Sequence, residues 1–262
     1  MLGDREISAF RRGYYELLSR AYLEPPDGTF LHLLRQGVDA RVDAAQNLHP
    51  ALAEGWRILR ACLVDHADHG PTLGEAVADE YGLLFISPVQ PAIMPYESWY
   101  MEKEPYGPSL AAVRAFLHRV GLEKRESLPE PEDHIACEFE IMGQLIVRQE
   151  GAAEKAEEER WLHLQGEFLR SHLLPWVLLV CRDLEQHQAA KFYQGMAILA
   201  RGFIELEQEA LVEWGPPTPR RDLLAARVER WGGPTFDPLQ IGKKKREGAE
   251  GEEAGQQGPA CP

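Results

Sequence analysis

The sequence predicts an all-α protein, a single compact helical domain of about ten helices, on three observations. Apolar residues recur with a period near 3.6 along most of the chain. Strict alternation over the length of a strand hardly occurs, and prolines open the periodic stretches or stand between them. The composition permits a packed core: of 262 residues, 44% are hydrophobic and 27% charged, close to the soluble globular average and far from a disordered or membrane-spanning chain.

The elements follow in order. Ile7, Phe10, Tyr14, Leu17, Leu18 and Ala21 share a face, which predicts an amphipathic helix over residues 4 to 23. Arg11-Arg12 ahead of Gly13-Tyr14-Tyr15 faintly resembles a twin-arginine export signal, but Glu16, Arg20 and Glu24 interrupt the apolar stretch that such a signal needs. The segment is therefore read as part of the fold, in a chain expected not to be exported. Pro25-Pro26-Asp27-Gly28 ends this helix and starts a short one through Leu34. His49-Pro50 opens another, with Leu52, Trp56, Leu59 and Leu63 on one face, and Pro71 begins the next, which carries Leu73, Val77, Tyr81, Leu84 and Phe85 before Ser87-Pro88 breaks it. A proline-rich loop reaches Pro95-Tyr96-Glu97-Ser98-Trp99-Tyr100. After Pro108 the pattern Leu110, Val113, Phe116, Leu117, Val120 gives a helix that Gly121 can terminate in a left-handed conformation.

Residues 122 to 130 read as a polar connection, and a long helix is expected from Pro131 to Gln149, with Glu132 and Asp133 favouring its first turn. Residues 150 to 159 read as a solvated stretch, followed by helices near 160 to 173, 175 to 187 and 189 to 213 and a short one near 219 to 230. From Lys243 onward no large aliphatic residue remains, so residues 243–262 are expected to be a disordered tail and residues 1–242 one helical domain. Lys243, Lys244, Lys245 and Arg246 cancel Glu247, Glu250, Glu252 and Glu253, which leaves the entire net charge of −14 on the body.

That charge argues against nucleic acid as a partner and favours basic ones. Cys62, Cys137, Cys181 and Cys261 show no zinc-knuckle or redox spacing, so a reducing cytoplasm is the expected location. No window reaches 18 apolar residues, and no transmembrane segment is expected. No glycine-rich phosphate loop or nucleophile turn supports a catalytic reading. The histidines of Asp65-His66-Ala67-Asp68-His69 sit before a proline at a helix end, where exposed polar residues are ordinary. His134 and Glu138 lean into an apolar sector of their helix, and three readings stand open for them. They form a hydrogen-bonded pair that fixes the docking of the helix, or they face a ligand, or they hold a metal that needs two further ligands from elsewhere. Tyr81, Phe85, Tyr96, Trp99 and Tyr100 are core or an aromatic groove.

Taken together, Glu80-Tyr81-Gly82-Leu83-Leu84-Phe85, Pro95-Tyr96-Glu97-Ser98, Asp133-His134 and Glu138-Phe139-Glu140-Ile141-Met142 resemble, in order and spacing, the TorD/DmsD/NarJ family of redox-enzyme maturation chaperones. Phe168-Leu169-Arg170, His172-Leu173, Trp176, Phe192-Tyr193 and Met196-Ala197 look like that family's C-terminal helices, so the similarity covers roughly residues 5 to 215. Glu132 departs from the family, standing where many members have a proline. The resemblance implies a TorD-like cytoplasmic chaperone, not an enzyme and without a cofactor of its own. Such a chaperone binds the twin-arginine signal peptide or another segment of the catalytic subunit of a molybdopterin-containing oxidoreductase and assists cofactor insertion before export. It implies a peptide-binding set of Tyr81, Leu84, Phe85, Pro95, Tyr96 and Tyr100 as the groove, with Asp133, His134 and Glu138 at its polar edge. Monomer and domain-swapped dimer are both compatible with it. The alternatives are an assembly subunit that stays on a respiratory molybdoenzyme complex and a helical metal-binding enzyme built on His134 and Glu138.

Overall fold

The N-terminal helix is apolar on more than one face, and the fold wraps it accordingly. In the computed structural model, which describes residues 4–64, 72–86 and 91–211, α1 (Asp4–Leu23) buries Phe10, Tyr14, Tyr15, Leu17, Leu18, Ala21 and Tyr22. It lies between α8 (Ile135–Glu150) and α11 (Phe192–Leu211), antiparallel to both: Arg12 meets Glu150 and Ser19 meets Ala136, while Arg11 meets Glu207 and Tyr193 meets Ala21. Around this centre stand α2 (Gly28–Arg35), α3 (Val38–Ala45), α4 (Pro50–Val64), α5 (Leu73–Tyr81), α6 (Glu97–Glu102), α7 (Pro108–Val120), α9 (Lys155–Phe168) and α10 (Val177–Gln186). Single π-helical turns, Gly82–Ile86 and Leu169–Leu173, extend α5 and α9. Among the described residues there is no strand, only an isolated antiparallel bridge between Tyr96 and His134. The chain is all-α, as its periodicity predicts.

Helix α4 runs antiparallel to α11 at backbone contact. A Cβ at Gly55 would lie 2.7 Å from the Leu199 nitrogen, and one at Gly202 would lie 2.7 Å from the Leu52 nitrogen. Glycine is required at both positions by this approach. Gly121 adopts φ 68 and ends α7, as the sequence predicts.

Four expectations are corrected. The eighth helix starts at Ile135, not Pro131, because the His134 ring nitrogen accepts the Ala136 N–H (3.2 Å) and makes His134 the N-cap. Asp133 therefore lies outside the helix. Helix α9 begins at Lys155, inside the stretch read as a solvated connection. Its polar surface hides a buried stripe of Trp161, Leu162, Leu164, Gln165 and Phe168. Two short helices, α3 and α6, have no counterpart in the sequence reading. Their eight and six residues are too few to show a period, and Arg41 anchors α3 by donating to the Leu34 and Gln36 carbonyls (2.6 and 2.9 Å). The expected helix near 219 to 230, the tail 243–262 and the histidines 66 and 69 lie outside the described residues.

Candidate functional site

The short helix α6 is attached to the start of α8 through backbone and side chain together. The Glu97 N–H donates to the Asp133 carbonyl (2.9 Å), the Ser98 N–H to Asp133 Oδ2 (3.2 Å), and the Ile135 N–H to the Pro95 carbonyl (2.9 Å). These bonds hold Tyr96 edge-on to the His134 ring, with centroids 5.1 Å apart. Behind them lies a buried polar cluster. Glu138 Oε2 accepts from Trp176 Nε1 (3.0 Å), and Glu97 Oε2 is bonded to His172 Nδ1 (3.0 Å). Glu97, Asp133, His134, Glu138 and His172 are all buried.

Burial, followed by the neighbouring Glu97 charge and a hydrogen bond with it, raises the Glu138 carboxyl well above its ordinary range. Two adjacent buried carboxyls hold one proton more cheaply than none. Burial also pushes the His134 imidazole down to about 3, so it stands neutral as an N-cap acceptor. The signs of the two linkages differ. Stability from Glu138 is full below the ordinary carboxylate pKa and is lost as pH rises through its raised folded value. Stability from His134 is full above about 6.5 and is lost as pH falls toward 3. We predict that Glu138→Gln, whose amide can still accept from Trp176 and donate to Glu97, flattens the decline of unfolding free energy as pH rises above the ordinary carboxylate range. Glu138 alone contributes at most ~1.4 kcal/mol per pH unit to the wild-type slope. Urea melts across that rise in pH check it, and parallel slopes for both proteins would contradict it.

The aromatic residues make separate contacts, Tyr81 and Phe85 packing on Tyr193 and Tyr100 lying against Trp176 (5.8 Å). Tyr81 caps the end of α1, its hydroxyl donating to the Leu23 carbonyl (3.1 Å), and its ring meets Phe85 (5.0 Å) and Tyr193 (5.8 Å). Burial raises its phenol to about 12. Tyr96 donates to Glu130 (2.7 Å) and Tyr100 to Asp183 (3.0 Å); burial first and these carboxylates second push both phenols upward.

The sequence-predicted set is thus brought to one region but at different depths. Tyr81, Leu84, Pro95, Asp133, His134 and Glu138 are buried, while Phe85, Tyr96 and Tyr100 are partly exposed. The π-helical turn after α5 also presents Leu83 and Ile86 outward, 56% and 61% exposed. Among the described residues no group of three or more His, Cys, Asp and Glu is arranged to hold a metal ion. His134 Nδ1 is engaged by the Ala136 N–H and Glu138 Oε2 by Trp176 Nε1.

Sequence reasoning left Glu80, Glu97, His172 and Trp176 without roles. Glu80 accepts the N–H groups of Lys191, Phe192 and Tyr193 (2.8, 3.1 and 2.8 Å) and so caps α11 from α5. An acid in the last turn of its own helix, where the dipole disfavours it, is the signal that could have revealed this.

Comparison with known proteins adds the following. The family model described as nitrate reductase delta subunit matches residues 45–182. The chain is 28% identical over 138 residues to the chaperone protein TorD of Vibrio cholerae serotype O1 (strain ATCC 39315 / El Tor Inaba N16961), which covers 52% of this chain and 63% of that protein. It is 33% identical over 101 residues to the chaperone protein TorD of Aeromonas salmonicida (strain A449), covering 38% and 44%. It is 32% identical over 129 residues to the probable Tat proofreading chaperone DmsD of Haemophilus influenzae (strain ATCC 51907 / DSM 11121 / KW20 / Rd), covering 48% and 58%. The chain spans less than two thirds of the length of these curated relatives.

Proposed function

The chain belongs to the nitrate reductase delta subunit family, the family of TorD and DmsD chaperones, and from that premise we propose that it is a cytoplasmic maturation chaperone, not an enzyme. Its client is the catalytic subunit of a molybdopterin-containing oxidoreductase, bound through a twin-arginine signal peptide or another segment until cofactor is inserted. The observation that carries this reading is the family match over residues 45–182, which takes in all three segments joined at the site: Glu80–Phe85, Pro95–Tyr100 and Asp133–Met142. The chemistry of the body supports it. A peptide with a basic end and an apolar stretch suits an acidic protein, net charge −14, that presents Phe85, Tyr96 and Tyr100 beside Glu130 and Asp183. No helix among the described residues is long and apolar enough to cross a membrane.

Exposed charge pairs give ~1 kcal/mol each in water, whereas burying a leucine gives ~1.5–3 kcal/mol, so apolar contact supplies most of the affinity and the acidic field mainly orientation and on-rate. Tyr96→Ala is expected to weaken binding of a synthetic signal peptide by more than about tenfold, with the helical circular-dichroism spectrum retained. Titration calorimetry measures it. Wild-type affinity for the Tyr96→Ala protein would remove the aromatic set from the interface. The family description favours one second reading, a subunit that remains attached to the mature enzyme. Co-purification with the complete complex in stoichiometric amount distinguishes it from transient binding.

A further inference from the structure

Leu83 and Ile86 stand at the end of a continuous surface stripe. The exposed residues of α5, its cap and its π-helical turn are Thr72, Glu75, Asp79, Leu83 and Ile86, spaced three or four apart and therefore on one face. The stripe is acidic at its start and apolar at its end, where the half-buried Phe85 adjoins it. Between Arg60 and Lys103 the chain has no lysine or arginine. Lys191 comes up to Glu80 through its backbone N–H (2.8 Å), and both charges act on Cys62, so that acid is offset. Glu75 is bonded to Thr72, and neither Glu75 nor Asp79 has an ion-pair partner among the described residues.

Complementary chemistry is present in the same chain. Residues 214–231 lie outside the described residues, and their sequence carries Arg220-Arg221, then Leu223-Leu224-Ala225-Ala226 and Val228. Arg220, Arg221, Arg227 and Arg230 stand against only Asp222 and Glu229. A pair of arginines ahead of an aliphatic stretch is, in short form, the arrangement expected of the client, and it matches a stripe that is acidic and then apolar. Its tether is long enough. Helix α11 has 20 residues and so runs about 30 Å. Its start lies at the apolar end of the stripe, where Tyr193 packs on Phe85 (5.0 Å). From Leu211, the last residue of α11, the chain to Leu223 spans about 40 Å when extended. The chain leaving α11 can therefore double back along that helix and set its leucines on Leu83 and Ile86.

We propose that residues 220–228 dock on this stripe of their own molecule, with Arg220 and Arg221 toward Glu75 and Asp79 and with Leu223 and Leu224 on Leu83 and Ile86, and so hold the place of the client segment until it displaces them. The second clause rests on the peptide-binding function above; the docking does not.

The docking is tested by oxidative cross-linking of the full-length protein, with Cys62 and Cys261 replaced by serine. Leu224→Cys is combined with Leu83→Cys in one protein and with Val147→Cys in another. Val147 is exposed and apolar and lies toward the end where α11 stops, since Glu150 and Glu207 meet the adjacent Arg12 and Arg11. A segment that is merely tethered meets Val147 at least as often as Leu83. The expected result is a disulfide within one chain that forms about fivefold faster or more for the Leu83 pair than for the Val147 pair. Equal or faster reaction at Val147 overturns the docking, and so does linkage of the Leu83 pair only between chains. The competition is tested by titrating a synthetic peptide of two arginines followed by a leucine-rich stretch into the wild type and into the Leu223→Asp, Leu224→Asp double variant. The variant is expected to bind it about fivefold tighter or more, because the wild-type face is free only part of the time. Equal affinity overturns the competition. Binding by neither protein overturns the functional reading and the competition built on it, and the cross-link then decides the docking alone.

Discussion

Arg11→Met is expected to destabilise the protein by about 3–5 kcal/mol, the usual loss when one member of a buried ion pair is removed. Arg11 and Glu207 are almost fully buried, and their contact is two-pronged: Nε to Oε1 at 2.7 Å and Nη2 to Oε2 at 2.8 Å. Tyr15 adds a third bond by donating to Glu207 Oε2 (2.9 Å). Removing the guanidinium leaves a carboxylate in the core with only that hydroxyl. Most of the loss is the cost of the stranded charge, not the worth of the pair, and this makes a second outcome testable. The triple substitution Arg11→Met, Tyr15→Phe, Glu207→Leu removes every polar partner at once and should recover more than half of the loss. Equilibrium unfolding in urea measures both. If the triple variant is no more stable than Arg11→Met, packing rather than charge governs this junction.

The second large effect concerns α4 and α11. Gly202→Val should cost more than about 3 kcal/mol, and Gly55→Ala about 2 kcal/mol, although each residue gained is a better helix former than glycine by several tenths of a kcal/mol or more. The reason is what the added carbon meets. At both positions the nearest atoms are backbone, at 2.7 Å, so relief requires moving a whole helix and not a side-chain tip. Gly74 in α5 is the control: nothing lies within 4 Å of an added Cβ, and Gly74→Ala should stabilise by ~0.4–1 kcal/mol. Equal effects at Gly74 and Gly202 would show that helix propensity dominates over the close approach.

Much of the architecture was legible because long amphipathic helices advertise themselves. Residues 4–23, the face Leu52–Leu63 and the stretch from Pro108 to Gly121 are bounded as their apolar spacing and terminators dictate. The failures have local causes. Pro131, Glu132 and Asp133 look like a helical first turn, yet the imidazole of His134 takes the capping role and Asp133 is committed to Ser98, a partner 35 residues away that spacing does not reveal. The candidate site was legible as a group of segments but not as depths. Leu84 and Phe85 are adjacent in sequence, and the π-helical turn that buries one and half-exposes the other has no pattern in the sequence. Glu97, His172 and Trp176 needed the fold itself, since their shared cluster draws on three separate elements.

The union of first and last described helices also bears on how the protein is made. Arg11 and Glu207 are 196 residues apart, and Tyr193 and Glu80 close the same end of the molecule through Ala21 and the start of α11. At ~5–20 residues per second of synthesis, about 10–40 s pass between the appearance of Arg11 at the ribosome and that of its partner. During that interval α1 has its tyrosines, phenylalanine and leucines in hand and, even after α8 has followed, lacks the flank that α11 supplies. Core closure therefore waits for α11 and depends on pairing between helices far apart in the chain. A protein whose own work is proposed to be the sheltering of another chain before completion spends its own nascent life with its central helix half covered.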